Sequence, residues 1–136
     1  MKRGLILLVT VAVVLICMGM GGFGGQPGGT VPETDINIQA QLKDRAGAVT
    51  SLSQFSMDGK TYLEAWRGKG KLSVPFQKIS TLTFGEVRGD EVMLDVSLKS
   101  GETIKLTTRS RAQFYGSTGF GAFQIASRDV ASIAIP

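Results

Sequence analysis

Gly68-Lys-Gly-Lys-Leu-Ser-Val-Pro-Phe-Gln-Lys-Ile-Ser-Thr-Leu-Thr-Phe84 and Gly119-Phe-Gly-Ala-Phe-Gln-Ile-Ala-Ser-Arg-Asp-Val-Ala-Ser-Ile-Ala-Ile135 align over seventeen positions without a gap, at an offset of 51 (119 − 68). Gly68 and Gly70 fall on Gly119 and Gly121, and Thr81 on Ser132. Leu72, Val74, Ile79, Leu82 and Phe84 fall on Phe123, Ile125, Val130, Ile133 and Ile135. The four glycines read as structural turn glycines, because they permit positive φ or close backbone approach on entry to a strand. The alternating pair after them buries one face, and the apolar-x-x-apolar-x-apolar segment reads as a tight corner feeding a last short strand. Chance overlap between two β-rich stretches is the competing explanation; two identical glycines and five matched apolar positions favour a duplication.

Outward from these stretches the period is two, as in half-buried strands. Ile36, Ile38, Ala40 and Leu42 alternate with polar residues; Leu72, Val74 and Phe76 alternate with Lys71, Ser73 and Pro75, and Val92, Leu94, Val96 and Leu98 with Glu91, Met93, Asp95, Ser97 and Lys99. Turn chemistry separates the runs at Asp58-Gly59, Arg88-Gly89-Asp90 and Ser100-Gly101. Pro75 cannot donate to a ladder and so predicts an edge strand or a bulge. Leu42-Lys43-Asp44 resembles Leu98-Lys99-Ser100 at an offset of 56, which places five extra residues in the first copy, near Asp58-Gly59. One such unit has too few strands to bury its own apolar face, whereas two can close on each other. The expected fold is therefore all-β, a small sandwich or closed barrel of about eight strands. It is built from two pseudo-twofold tandem repeats, at about 36–85 and 91–136, within a β domain over 35–136. The order lysine, polar residue, glycine, then glycine, apolar alternation and an isoleucine-ended strand resembles repeats of uncharacterised bacterial envelope proteins and of Sm-like barrels. That resemblance implies no activity.

In front of this domain, Lys2 and Arg3 precede an uncharged apolar run from Gly4 to Met20. A positive start, an apolar run and small residues after it make a three-part export signal, so residues 1–21 read as a signal peptide or a membrane anchor, with an N-terminal hydrophobic helix. Seventeen residues of helix span ~25 Å, short of the ~30 Å hydrocarbon core. Three fates stay open: cleavage after Gly19-Met20-Gly21, retention as an anchor, or lipidation at Cys17, where bulky Ile16 departs from the usual small residue. Residues 22–34 are a Gly/Pro-rich spacer, too costly in backbone entropy to order. A phosphate-cradling loop fails there, because no strand precedes it and no Gly-Lys-Ser/Thr follows. The expected location is periplasmic or cell-surface, with membrane contact through residues 4–20 if they are retained.

Charge and composition exclude several functions. From Gln26 onward there are 13 basic and 11 acidic residues, a net +2, too little for a nucleic-acid footprint. The sequence has no histidine, and its one cysteine lies in the leader. That removes the common general base, the thiol nucleophile and most zinc sites. No cofactor, metal or catalytic residue is expected, and the chain is read as a non-enzyme.

A binding role is harder to dismiss. Arg67, Lys69 and Lys71 lie within five residues, beside Trp66 and near Tyr62, and Arg109 and Arg111 are expected to share one strand face, followed by Phe114 and Tyr115. Cations beside aromatics can contact anionic glycans, phospholipid headgroups or nucleic acid. The alternative is a solvated hairpin tip with Trp66 in the core. The leading expectation is a non-catalytic binding or assembly module of the cell envelope, whose partner is another envelope protein or a second copy. The alternatives are a polyanion or glycan binder at Trp66–Lys71, with a glycan or anionic lipid as ligand, and a hydrolase using carboxylates alone among Asp90, Glu91, Asp95 and Glu102.

Overall fold

The structure, a computed structural model, describes residues 30–136, of which Val31–Pro136 form one compact unit. The expectations for a hydrophobic leader helix and for Cys17 lie outside the described residues. Among the described residues no helix is long and apolar enough to cross a membrane.

The domain is all-β. Ten strands follow in order: β1 (Ala40–Asp44), β2 (Val49–Met57), β3 (Tyr62–Arg67), β4 (Gly70–Pro75), β5 (Ile79–Arg88), β6 (Glu91–Leu98), β7 (Thr103–Arg109), β8 (Gln113–Ser117), β9 (Ala122–Ala126) and β10 (Val130–Ala134). Single 3-10 turns, Phe76–Lys78 and Ser127–Asp129, join β4 to β5 and β9 to β10. Alternation forms the strands: in β6, Val92, Leu94 and Val96 are buried while Glu91, Met93 and Asp95 face water. Positive φ at Gly47, Asp58, Gly59, Gly89 and Gly101 turns the chain between strands. Pro75 ends β4, an edge strand, where its missing N–H leaves no ladder bond unmade.

The strand count and the closure differ from the sequence-based expectation. All ten strands join one curled antiparallel sheet, in the order β4-β3-β7-β6-β5-β10-β1-β2-β8-β9, and not an eight-stranded sandwich or closed barrel. Two features made the count fall short. Polar, serine-rich β2 shows no clean alternation, and β3 buries three consecutive residues, Leu63, Glu64 and Ala65. The strand expected from Ile36 also starts later, at Ala40, although Ile38 is already buried.

Exchanging β1–β5 with β6–β10 turns this strand order into its own reverse. At its centre β5 pairs β10, with Leu82 opposite Ile133, Thr81 opposite Ala134 and Thr83 opposite Ser132. Leu82 and Ile133 are 51 apart, so the offset that aligned the two stretches passes through the middle of the sheet. The earlier landmark needs correction. Asp44 N–H donates to Ala48 O (3.0 Å) and Gly47 N–H to Asp44 O (3.1 Å); Leu98 N–H donates to Glu102 O (2.8 Å) and Gly101 N–H to Leu98 O (2.9 Å). The two turns match at an offset of 54, not 56, so Leu42 corresponds to Val96, and both are fully buried. Between these turns and the centre of the sheet the offset falls from 54 to 51, and the bulge at Gln54 (φ 53°) and the Asp58-Gly59 turn lie in between.

The core is one cluster fed by every strand except β9 and centred on four phenylalanines. Phe55 stacks on Phe114 (centroids 5.6 Å, planes 8° apart) and tilts against Phe76 at 4.9 Å, while Phe84 meets Phe114 edge-on at 5.8 Å. Each such ring contributes about 1.5–3 kcal/mol of burial. Val74 is buried, and Leu72, Phe123 and Ile125 pack half-buried against the cluster at the two ends of the sheet.

Candidate binding surface

β3 sends Leu63 and Ala65 into the core and sets Tyr62, Glu64 and Trp66 on the other side, as its period of two requires. Across the β3–β4 ladder Lys71 stands opposite Trp66. Glu64 is buried under its neighbours, and both of its oxygens are engaged: Lys60 pairs with Oε1 and Lys71 with Oε2 at 3.5 Å. The two ammonium groups also lie over aromatic rings, Lys60 5.9 Å from the Tyr62 centroid and Lys71 5.9 Å from that of Trp66. The hydrogen bond from Lys60, helped by the charges of both lysines, holds the Glu64 carboxyl below its ordinary range and outweighs the opposing effect of burial. The same hydrogen bond raises Lys60 above its usual value.

Of the residues singled out from the sequence, the structure brings Tyr62, Trp66 and Lys71 together, around Glu64. Arg67 and Lys69 stand apart from that group at the exposed hairpin tip, and neither makes an ion pair among the described residues. Trp66 is neither core nor fully exposed. It lines a shallow cleft of about 240 Å³ with Gly68, Asp90, Glu91, Thr107, Thr108 and Arg109. Arg109 reaches the Asp58 carboxylate at 3.4 Å, and Arg111 lies past the end of β7, in the turn, so the two arginines do not share a strand face. The turn glycines divide their roles: Gly68 (φ 62°) and Gly121 (φ 156°) take positive φ, whereas Gly70 and Gly119 do not.

Glu64 escaped the sequence reading because a lone glutamate in a strand normally faces water; its only signal was the pair of lysines four and seven residues away. A second region was missed altogether. Residues 46–57 and 112–127 contain no charged side chain, and the sheet brings them together as β2, β8 and β9 at one end. There Thr118 shapes the β8–β9 tip: its N–H and hydroxyl both donate to Gly121 O at 2.8 Å, and its Oγ1 accepts from the N–H groups of Phe120 and Gly121 at 2.9 Å. The tip holds Phe120 wholly in solvent, beside an open groove of about 730 Å³ whose walls include Val49 (56% exposed) and Phe123. The uncharged run was legible in the sequence; the adjacency of its two pieces was not.

Among the described residues no group of three or more acidic, histidine or cysteine side chains is placed to hold a metal ion. A family model whose description is "Uncharacterised protein" matches residues 34–136. The chain belongs to that family. No curated protein and no solved structure matches.

Proposed function

We propose that this chain is a non-catalytic, extracytoplasmic binding or assembly module of the cell envelope, built from two copies of a five-strand unit. The two-copy reading is supported by the reversible strand order, by the 51-residue offset at the central Leu82–Ile133 pair, and by the ways in which the halves interlock. Arg45 N–H donates to Asp129 O and Lys99 N–H to Lys78 O; the Arg45 guanidinium donates to Gly85 O and the Lys99 ammonium to Pro136 O. Those acceptors are again 51 apart. Export is supported by the leader sequence alone. The assembly role is carried by one observation: the sheet is open, and its β9 edge is uncharged and bordered by exposed apolar side chains, a template for strand addition.

The test is recovery of the tagged full chain from its host. It is expected in the envelope, protected from cytoplasmic protease, and in a complex larger than its own mass. A chain confined to the cytoplasm removes the localisation, and a strict monomer in the envelope removes the assembly role.

A second reading, a polyanion or glycan binder, is favoured by the free cations Arg67 and Lys69 beside the Trp66 cleft. Glu64 counts against it by neutralising Lys71. Salt-sensitive binding that Trp66→Ala and Lys69→Glu abolish at unchanged melting temperature would establish it. The carboxylate hydrolase retains only Asp90 and Glu91, which line the same cleft; hydrolytic turnover lost in Asp90→Asn would be its sign.

A further inference from the structure

The two open edges of the sheet differ in how they meet another strand. β4 carries Lys71, ends in Pro75 and follows a tip bearing Arg67 and Lys69, all of which discourage pairing. β9 has none of these guards. Among the described residues its one neighbour is β8, so there the alternate N–H and C=O groups on its far side have no ladder partner.

We infer that β9 pairs antiparallel with β9 of a second copy of this chain, centred on Gln124. This rests on the assembly reading above and names its partner. The strand Ala122-Phe123-Gln124-Ile125-Ala126 reads small, apolar, polar, apolar, small in either direction. Antiparallel pairing about Gln124 therefore sets Ala122 against Ala126 of the other copy, Phe123 against Ile125, and Gln124 against itself. A twofold contact pairs residue i with j and j with i, and about Gln124 it matches small with small, apolar with apolar and polar with polar at every position. Phe123 and Ile125 already pack half-buried against the core, so two copies would join four apolar side chains on one face. Charge agrees with this. No charged residue lies between Arg111 and Arg128, so the twofold contact brings no like charges together, whereas β4 against β4 would put the Lys71 of both copies on one short ladder.

The experiment places photo-reactive benzoylphenylalanine at Gln124 in the full chain, in its own host, with Ser73 on β4 as the control position. Illumination is expected to give an adduct of twice the chain mass from position 124 and none from 73. With the probe moved to Ala126, adding Gln124→Lys sets like charges opposite each other and is expected to weaken that adduct at least tenfold. An undiminished adduct overturns the register. An adduct of another mass overturns self-pairing and leaves the assembly reading standing; no adduct from either position removes both.

Discussion

The two ends of the sheet, β7-β3-β4 and β2-β8-β9, share one backbone plan and little chemistry. Their hairpin tips match at an offset of 51, yet Lys69 occupies the place of Phe120 and Arg67 that of Thr118. Under one end lies the Lys60–Glu64–Lys71 group; the other has Tyr115 where Glu64 would be and no charge at all. Even the buried hydroxyls differ. Thr108 Oγ1 donates to Glu64 O at 2.8 Å, while Ser56, opposite Tyr115 in the β2–β8 ladder, is equally buried with no partner for its Oγ among the described residues. On the two-copy reading proposed above, a shared backbone scheme leaves its edges free to diverge, one lined by charge and one bare.

The largest difference between the ends is expected at Gly116, 51 residues after Ala65. A Cβ at Gly116 would lie 2.8 Å from that of Leu52, so Gly116→Val overpacks the uncharged end and should cost about 3 kcal/mol in urea unfolding. Ala65→Gly, at the other end, should cost about 1 kcal/mol; equal losses would show that the ends are packed alike. Next are the hydroxyls. Thr108→Val should lose about 1–2 kcal/mol by leaving the Glu64 carbonyl short of a donor, whereas Ser56→Ala should lose nothing. A matching loss at Ser56 would reveal a partner for it.

Acid should separate the ends in the same sense. Glu64 titrates lower in the folded chain than in the unfolded one, so its contribution is complete above its unfolded value, near 4.3, and fades as pH falls through the folded value. Hydrogen-exchange protection factors in β3 and β4 should fall over that range and those in β8 and β9 should not; Glu64→Gln should abolish the difference. The smallest effects belong to the tips. Phe120→Ser and Lys69→Ser should each leave stability within about 0.5 kcal/mol by thermal melting, since neither side chain is packed in the monomer. A larger loss at Phe120 would mean that it has a folding role.

The sequence made the β class, most of the turns and the edge status of β4 legible, because alternation, Asp-Gly pairs and Pro75 act locally. Leu72, Val74, Phe123 and Ile125 all pack on the core, as their spacing required. What local pattern could not reveal was adjacency. Nothing in Val49–Met57 announces that it lies beside Gln113–Ser117, so the uncharged end and its bare edge emerge only from the fold. Nor does spacing say that Lys71 points at Glu64 as much as at a ligand. Trp66, Tyr62 and Lys71 were found as a group, but the carboxylate that organises them was not.

The strand order also has a kinetic consequence. β3 to β7 are consecutive in the chain and pair among themselves as β4-β3-β7-β6-β5, within residues 62–109. The other five strands reach across that whole segment, since β1 must find β10 and β2 must find β8. Loop closure penalises such distant pairings, so the consecutive five should assemble early and the divided five late. The bare β9 edge would then be among the last parts to form, and the nascent chain would present it only once the rest of its sheet is in place.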